Sequence, residues 1–312
     1  MKKLFILTVL IFGGLIAKSQ DDLLGDLEKE DAGKVKTNLT TATFKSTRII
    51  NLQSVEMTGK GNLQFMITHH FGQIWYDGAG MKNVAQLFGL NSGVANTFLS
   101  FDYSPTNYLN LGLASTGNSQ FEAWSKFRLV RQQTGKKNIP VTFDYFASLH
   151  ADATDGPSVM DNAWNRFSFL HQLLVARKFN EKFSLQFTGS LVHENLGVYG
   201  YNNSNNTFSA GLGGRYKLSH KTAVTFEVNH LINNYENQID ESGAVYQRKP
   251  LLISIGYDWD TGGHIFQFFV SNTTNASNFY QLSKNNLKAT DFAMGFNLNR
   301  SFGIKKVVKT TH

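Results

Sequence analysis

Ser148 and His150 stand two residues apart in "VTFDYFASLH" (141–150), a stretch whose side chains alternate in character. Residues two apart share one face of a β-strand, so a serine nucleophile and a histidine base would meet there in the order that acyl transfer needs. The face they share carries the polar residues of the stretch, whereas a lipid-cleaving site needs access to the apolar side. Hydrolysis is therefore the weakest of the readings, and the chain is expected not to be an enzyme.

Other constellations fail on spacing. Of the nine histidines, His69 and His70 are adjacent on an alternating stretch, so they point to opposite faces and cannot grip one ion together. His193 and His230 fall on the apolar parity of their stretches and His150 on the polar one. With no His-x-His or His-Glu-x-x-His spacing, neither a metal nor a cofactor is expected. "GLGGRYK" (211–217) has glycines on a strand with no helix to follow, and Gly135-Lys136 lacks the upstream glycine of a phosphate loop. Gly211, Gly213 and Gly214 are better explained by strand curvature or by room for a neighbouring aromatic.

Charge on the polar parity is more informative. Asp102, Glu122, Lys126, Arg128, Asp144, Arg166, Glu194, Arg215, Lys217, Glu227 and Asp258 all fall there, six acids against five bases. Near balance suits either solvated lumen residues or cross-strand ion pairs filling a narrow interior. A strongly selective pore would present a ring of one sign.

These residues need elements to hold them. From residue 62 onward twelve stretches alternate with period two: 62–70, 96–104, 108–116, 121–132, 141–150, 165–177, 183–194, 207–218, 222–231, 250–259, 263–271 and 290–302. Most have close to the ~9–11 residues that a tilted transmembrane strand requires. Leu109/Leu111/Leu113, Val224/Phe226/Val228 and Phe266/Phe268/Val270 mark the apolar face. Asn110/Gly112 and Thr225/Glu227/Asn229 mark the other. A strand buried on both faces would not alternate in this way. In the last stretch Phe292, Met294, Phe296, Leu298, Arg300 and Phe302 share one parity, and Ala293, Gly295, Asn297, Asn299 and Ser301 the other.

The connections alternate as well. "SPTN", "TGKKNIP", "FNEK", "SHK" and "TGG" are short, whereas 71–95, 151–164, 195–206, 232–249 and 272–289 are long and polar, with "TGNSQ" (116–120) the one short exception. Short turns at one end and long loops at the other, with an even strand count, describe an outer-membrane barrel. A soluble sandwich has no reason to place its loops by parity. The expected fold is all-β: an antiparallel transmembrane β-barrel of about twelve strands over 61–303, closed so that no sheet edge meets lipid.

The chain's start supports export. Lys2 and Lys3 precede an apolar run from Leu4 to Ile16, and Ala17 and Ser19 fit a peptidase site before Gln20. The run is too short to span a bilayer as a helix, so 1–19 reads as a cleavable signal peptide. Cysteine is absent, which excludes disulfides, thiolate chemistry and a lipid-modified N-terminal cysteine. The formal charge of +7 falls to about +4 without Lys2, Lys3 and Lys18, too mild for a nucleic-acid partner. Residues 20–60 form a leader, either a periplasmic segment or an inward-folded plug. "DDLLGDLEKED" within it would form a short amphipathic helix, and "RIINLQSVE" (48–56) an extra strand. Residues 304–312 form a basic tail.

"TFKSTRIINLQSVE" (43–56), "GNLQFMITHHFG" (61–72), "LFGLNSGVANTFLSFDYSPTNYLNLGL" (87–113) and "KFRLVRQQ" (126–133) resemble a Bacteroidota family of β-barrel proteins, domain of unknown function 5777. The resemblance covers nearly the whole mature chain and is clearest in its first third. It implies an outer-membrane barrel and lends no catalytic residues.

The expected function is that of a porin-like barrel in the outer membrane of a Gram-negative bacterium: a small-solute channel or transport-associated barrel. A non-conducting barrel that binds partners through its long loops is the alternative. The partners expected are outer-membrane lipid, the insertion machinery that reads Phe292, Phe296 and Phe302 as an assembly signal, and a small solute or periplasmic protein.

Overall fold

The computed structural model describes residues 36–76, 83, 96–116, 119–155, 161–196, 205–233, 238–239, 245–246 and 249–304. The signal peptide, the acidic helix expected in 21–31, residues 199–204 of the polar loop "YGYNNSNNT" (199–207) and the tail from 305 lie outside them.

Twelve strands close into one barrel. They are β1 (Asn62–Trp75), β2 (Asn96–Tyr103), β3 (Leu109–Thr116), β4 (Gln120–Val130), β5 (Thr142–Asp152), β6 (Phe167–Lys178), β7 (Phe183–Glu194), β8 (Asn206–Lys217), β9 (Thr222–Leu231), β10 (Leu251–Asp260), β11 (Ile265–Ser271) and β12 (Phe292–Gly303). Each pairs antiparallel with its sequence neighbours, and β12 returns to β1 to close the cylinder, with Phe302 opposite Leu63 and Gly303 opposite Asn62. Each of the twelve strands expected from residue 62 onward is present within a few residues of its expected bounds.

The burial is inverted relative to a soluble protein. Leu99, Phe101, Leu113, Phe187, Ile255 and Phe268 are exposed on the outer face. Asn110, Gln172, Gln186, Thr188 and Asn297 are buried inside. A continuous apolar belt of this kind is stable only against lipid. Phe292 and Phe296 are half-buried on that outer face of β12, and Phe302 is exposed near its end with the Arg300 guanidinium 5.0 Å from its ring centroid.

Within the chain before β1, "RIINLQSVE" is not a strand of the sheet. Residues 44–56 enter the lumen from the short-turn end and double back. Ser54 N donates to Thr47 O and Ile49 N to Leu52 O, both at 2.9 Å, around a single Arg48–Gln53 bridge. The remaining amides of the tip are taken by wall side chains, so no sheet ladder forms. Phe44 N closes the base of this hairpin on Glu56 Oε1 at 3.2 Å. Gly59 (φ +82°) and Gly61 (φ +78°) then turn the chain back onto the rim to begin β1, a left-handed geometry that costs glycine little.

A second segment enters from the opposite end. The connection between β11 and β12, polar in sequence, carries a short helix α1 (Asn278–Lys284) whose Asn278, Phe279, Tyr280, Gln281, Leu282 and Ser283 are buried. The lumen is therefore filled from both ends by parts of the same chain.

Candidate functional site

The hairpin at 44–56 is held by side chains that the strand alternation turns inward. On β9, Glu227 presents its carboxylate to the tip. The backbone N–H groups of Ile50, Asn51 and Leu52 donate to it at 2.7, 2.9 and 2.8 Å. Three consecutive amides around one carboxylate form an anion nest, built here with the wall supplying the anion. On β4, the Lys126 ammonium donates to Thr47 O, Ser54 O and Glu56 O at 3.3, 2.7 and 3.1 Å. That uses all three donors of an ammonium that is fully buried.

Amide side chains complete the grip. Gln186 on β7 accepts from Val55 N at 2.9 Å and donates to Gln53 O at 2.7 Å. Asn297 on β12 donates to Ile50 O at 2.9 Å, and Asn51 Nδ2 donates to Ser254 Oγ on β10 at 2.9 Å. Arg128 spans both roles, donating to Val55 O and pairing with Asp144 at 3.2 Å across the β4–β5 ladder. At the rim Lys45 reaches Asp260 at 2.7 Å.

Glycines in the wall receive the apolar side chains of the tip. A Cβ at Gly213 would lie 2.5 Å from Ile49 Cδ1, one at Gly256 3.1 Å from Ile50 Cδ1, and one at Gly211 3.4 Å from Leu52 Cδ1. Glycine is used here for close approach. Overpacking such a contact costs about 1–3 kcal/mol, so Gly213→Leu is expected to loosen the hairpin and leave the barrel folded. Maleimide labelling of a Ser54→Cys reporter in this cysteine-free chain should accelerate roughly tenfold, a factor that corresponds to ~1.4 kcal/mol. Unchanged labelling would mean that Ile49 does not seat the hairpin against Gly213.

The remaining lumen charges are distributed as follows. Arg215 faces Asp258 at 3.5 Å. Lys217 is half-buried towards the short-turn end of β8. Asp102 is buried and accepts from Trp124 Nε1 at 3.0 Å and Thr47 Oγ1 at 3.2 Å. Arg166 precedes β6 in a single 3₁₀ turn (Ala163–Arg166) with Asn162 as its N-cap. It donates to Asp152 O and Thr154 O at 3.1 and 2.8 Å. With Glu194, Asp152 and Lys284 it lines a cavity of about 80 Å³ at the long-loop mouth.

Ser148 and His150 do meet: Ser148 Oγ lies 2.9 Å from His150 Nε2. Glu122 Oε1 lies 3.1 Å from His150 Nδ1, a third member that sequence spacing did not reveal because it comes from the neighbouring strand β4. The three-residue chain has the composition of a hydrolytic triad, but its surroundings are those of a packing contact. Phe279 of α1 stacks on the His150 ring at 4.0 Å, and Ser277 Oγ hydrogen-bonds Glu122. His150 borders the mouth cavity, while Ser148 lines no cavity described among these residues. The chain of hydrogen bonds, with the Phe279 stack and the Ser277 contact, holds α1 against β4 and β5.

His70, inward on β1, is buried between Asn51 Oδ1 and Thr273 O, 3.1 Å from each. His69 points outward, with Thr97 Oγ1 2.9 Å from its Nδ1. His193 and His230 lie on the outer face, half-buried and exposed. Among the described residues no three potential ligands converge as a metal site.

A family model described as a membrane bound beta barrel domain (DUF5777) matches residues 44–302, which takes in the lumenal hairpin together with the strands. No curated protein matches the chain. Among solved structures, the KdgM porin is similar at a TM-score of 0.47 and 7% identity, over 76% of this chain and 99% of that one. The COG4313 outer membrane channel from Pseudomonas putida F1 is similar at 0.46 and 14%, over 78% and 96%. LpxR from Salmonella typhimurium is similar at 0.37 and 9%, over 77% and 99%.

Proposed function

We propose, from the premise that this chain belongs to the DUF5777 family of membrane-bound β-barrel domains, that it is a small-solute channel closed by its own N-terminal segment. One observation carries the reading. The lumen is lined with hydrogen-bonding and charged side chains, and residues 44–56 occupy it as a discrete insert held by polar contacts to the wall. A polar lining suits solute passage once the insert leaves. A barrel needed only as a scaffold would be served by side chains meeting across the lumen.

In this reading residues 44–56 are a plug entering from the periplasm, because short turns face that side, and α1 is a lid at the extracellular mouth. The chain reaches the outer membrane after cleavage before Gln20. Its assembly there uses the insertion machinery, with Phe292, Phe296 and Phe302 displayed on the outer face of β12. An origin in the Bacteroidota is supported by the resemblance of residues 43–133. No catalysis is assigned, since Phe279 and Ser277 of the lid pack against the Ser148–His150–Glu122 chain.

The filled lumen favours a second reading, a non-conducting barrel that works through its loops: beyond the mouth, the lumenal cavities described measure only about 10 Å³ each. Liposome solute uptake separates the two. Vesicles bearing the full chain should remain tight. Those bearing a folded variant that lacks both 44–56 and 276–284 should admit small polar solutes. Tight vesicles with that variant would leave the non-conducting barrel.

A further inference from the structure

Plug and lid touch. Arg48, on the rising limb of the plug, is buried with its guanidinium 4.2 Å from the Phe98 ring centroid. It donates to Ala276 O, two residues before α1, at 3.3 Å. The wall carboxylates of Glu122, Asp102 and Glu227 all act on its charge, and Glu122 is also the group that holds Ser277 of the lid. The His70 ring lies between the segments, 3.1 Å from Asn51 Oδ1 on one side and from Thr273 O on the other. The plug tip, Glu227 and the lid residues Thr273, Asn278 and Gln281 line one water-sized void. Phe44, Ile49 and Val55 of the plug share a hydrophobic cluster with Ala276, Phe279, Tyr280 and Leu282 of the lid.

We infer that plug and lid form a single latch centred on Arg48, so that withdrawal of the plug at the short-turn end releases α1 at the long-loop end. The inference rests on the gated-channel reading and adds how the gate is regulated. Removing Arg48 takes away the lid's bond to the plug. It also removes a cation that acts on Glu122, the carboxylate that holds Ser277 of the lid. Coupling of this kind is reciprocal: a solute that displaces the lid must loosen the plug by the same factor. A signal from either side of the membrane would then open both ends together.

The test uses the absence of native cysteine. Ser283 is buried in α1 and its hydroxyl has no hydrogen-bond partner among the described residues, so Ser283→Cys is a conservative lid reporter. Its labelling by a water-soluble maleimide is compared with and without Arg48→Ala, in barrels whose heat-modifiable gel mobility shows them folded. Labelling accelerated about tenfold or more is expected, the scale of losing a hydrogen bond to a charged group. An unchanged rate overturns the latch. Should Arg48→Ala fail to fold, Ser277→Ala in the lid is read through a Ser54→Cys reporter in the plug, where acceleration supports the coupling and an unchanged rate overturns it. Conductance of the same variants keeps the two readings apart. Faster labelling in barrels that stay electrically silent retains the latch and removes the channel, whereas conduction with an unresponsive lid does the reverse.

Discussion

Glu227→Ala is expected to release the plug from a barrel that remains folded. The three amides of the tip point at one buried carboxylate. A buried donor left without a partner costs about 1–3 kcal/mol. Losing the carboxylate should therefore weaken plug docking by about 3 kcal/mol or more, roughly a hundredfold in the docked-to-free ratio. Labelling of the Ser54→Cys reporter should rise by that factor. Glu227→Gln, which keeps one acceptor oxygen, should fall between. The barrel itself keeps its ladder hydrogen bonds, because Glu227 pairs with Ser254 and Gly213 across β10 and β8 through its backbone. A plug that stayed protected in Glu227→Ala would show that the nest does not hold it.

The second large effect concerns closure. β12 bonds β11 on one side and β1 on the other, from Phe292 opposite Trp75 to Gly303 opposite Asn62. Deleting 292–303 would expose two strand edges to lipid, where each unsatisfied backbone group costs several kcal/mol. No heat-modifiable, membrane-inserted form should be recovered. Removing 305–312 should leave assembly intact, since the last described bond, Ile304 N to Gly61 O at 3.0 Å, precedes the tail. Phe302→Ala should lower the assembled fraction without altering the barrel that does form. Failure of the tail-less chain to assemble would move the signal away from Phe302.

The strands were legible because a barrel wall writes its two faces into the sequence with period two. β7 and β9 begin and end where alternation alone put them, at 183–194 and 222–231. Alternation likewise turned Glu122, Lys126, Glu227 and Asp258 inward. It could not show what they face. Asp144 and Asp258 do find wall cations, yet Glu227 and Lys126 are spent on backbone amides and carbonyls of 47–56, groups that every sequence carries and no residue type announces. The signals within reach were the inward glycines Gly211, Gly213 and Gly256, which make room for Leu52, Ile49 and Ile50. The lid was hidden differently. Its stretch is polar on average, and Phe279, Tyr280 and Leu282 fill less than two helical turns, too short for a periodic signal. Arg166 was expected inside a strand; the Asn162-capped turn starts β6 one residue after it and leaves it at the mouth.

Single-channel recording in planar bilayers tests the central claim, that an otherwise conducting lumen is shut by segments of its own chain. The full chain should be silent, and the folded variant lacking 44–56 and 276–284 should show discrete, ohmic steps. A variant that inserts and folds but never conducts would contradict the account and leave a barrel whose wall closes it unaided.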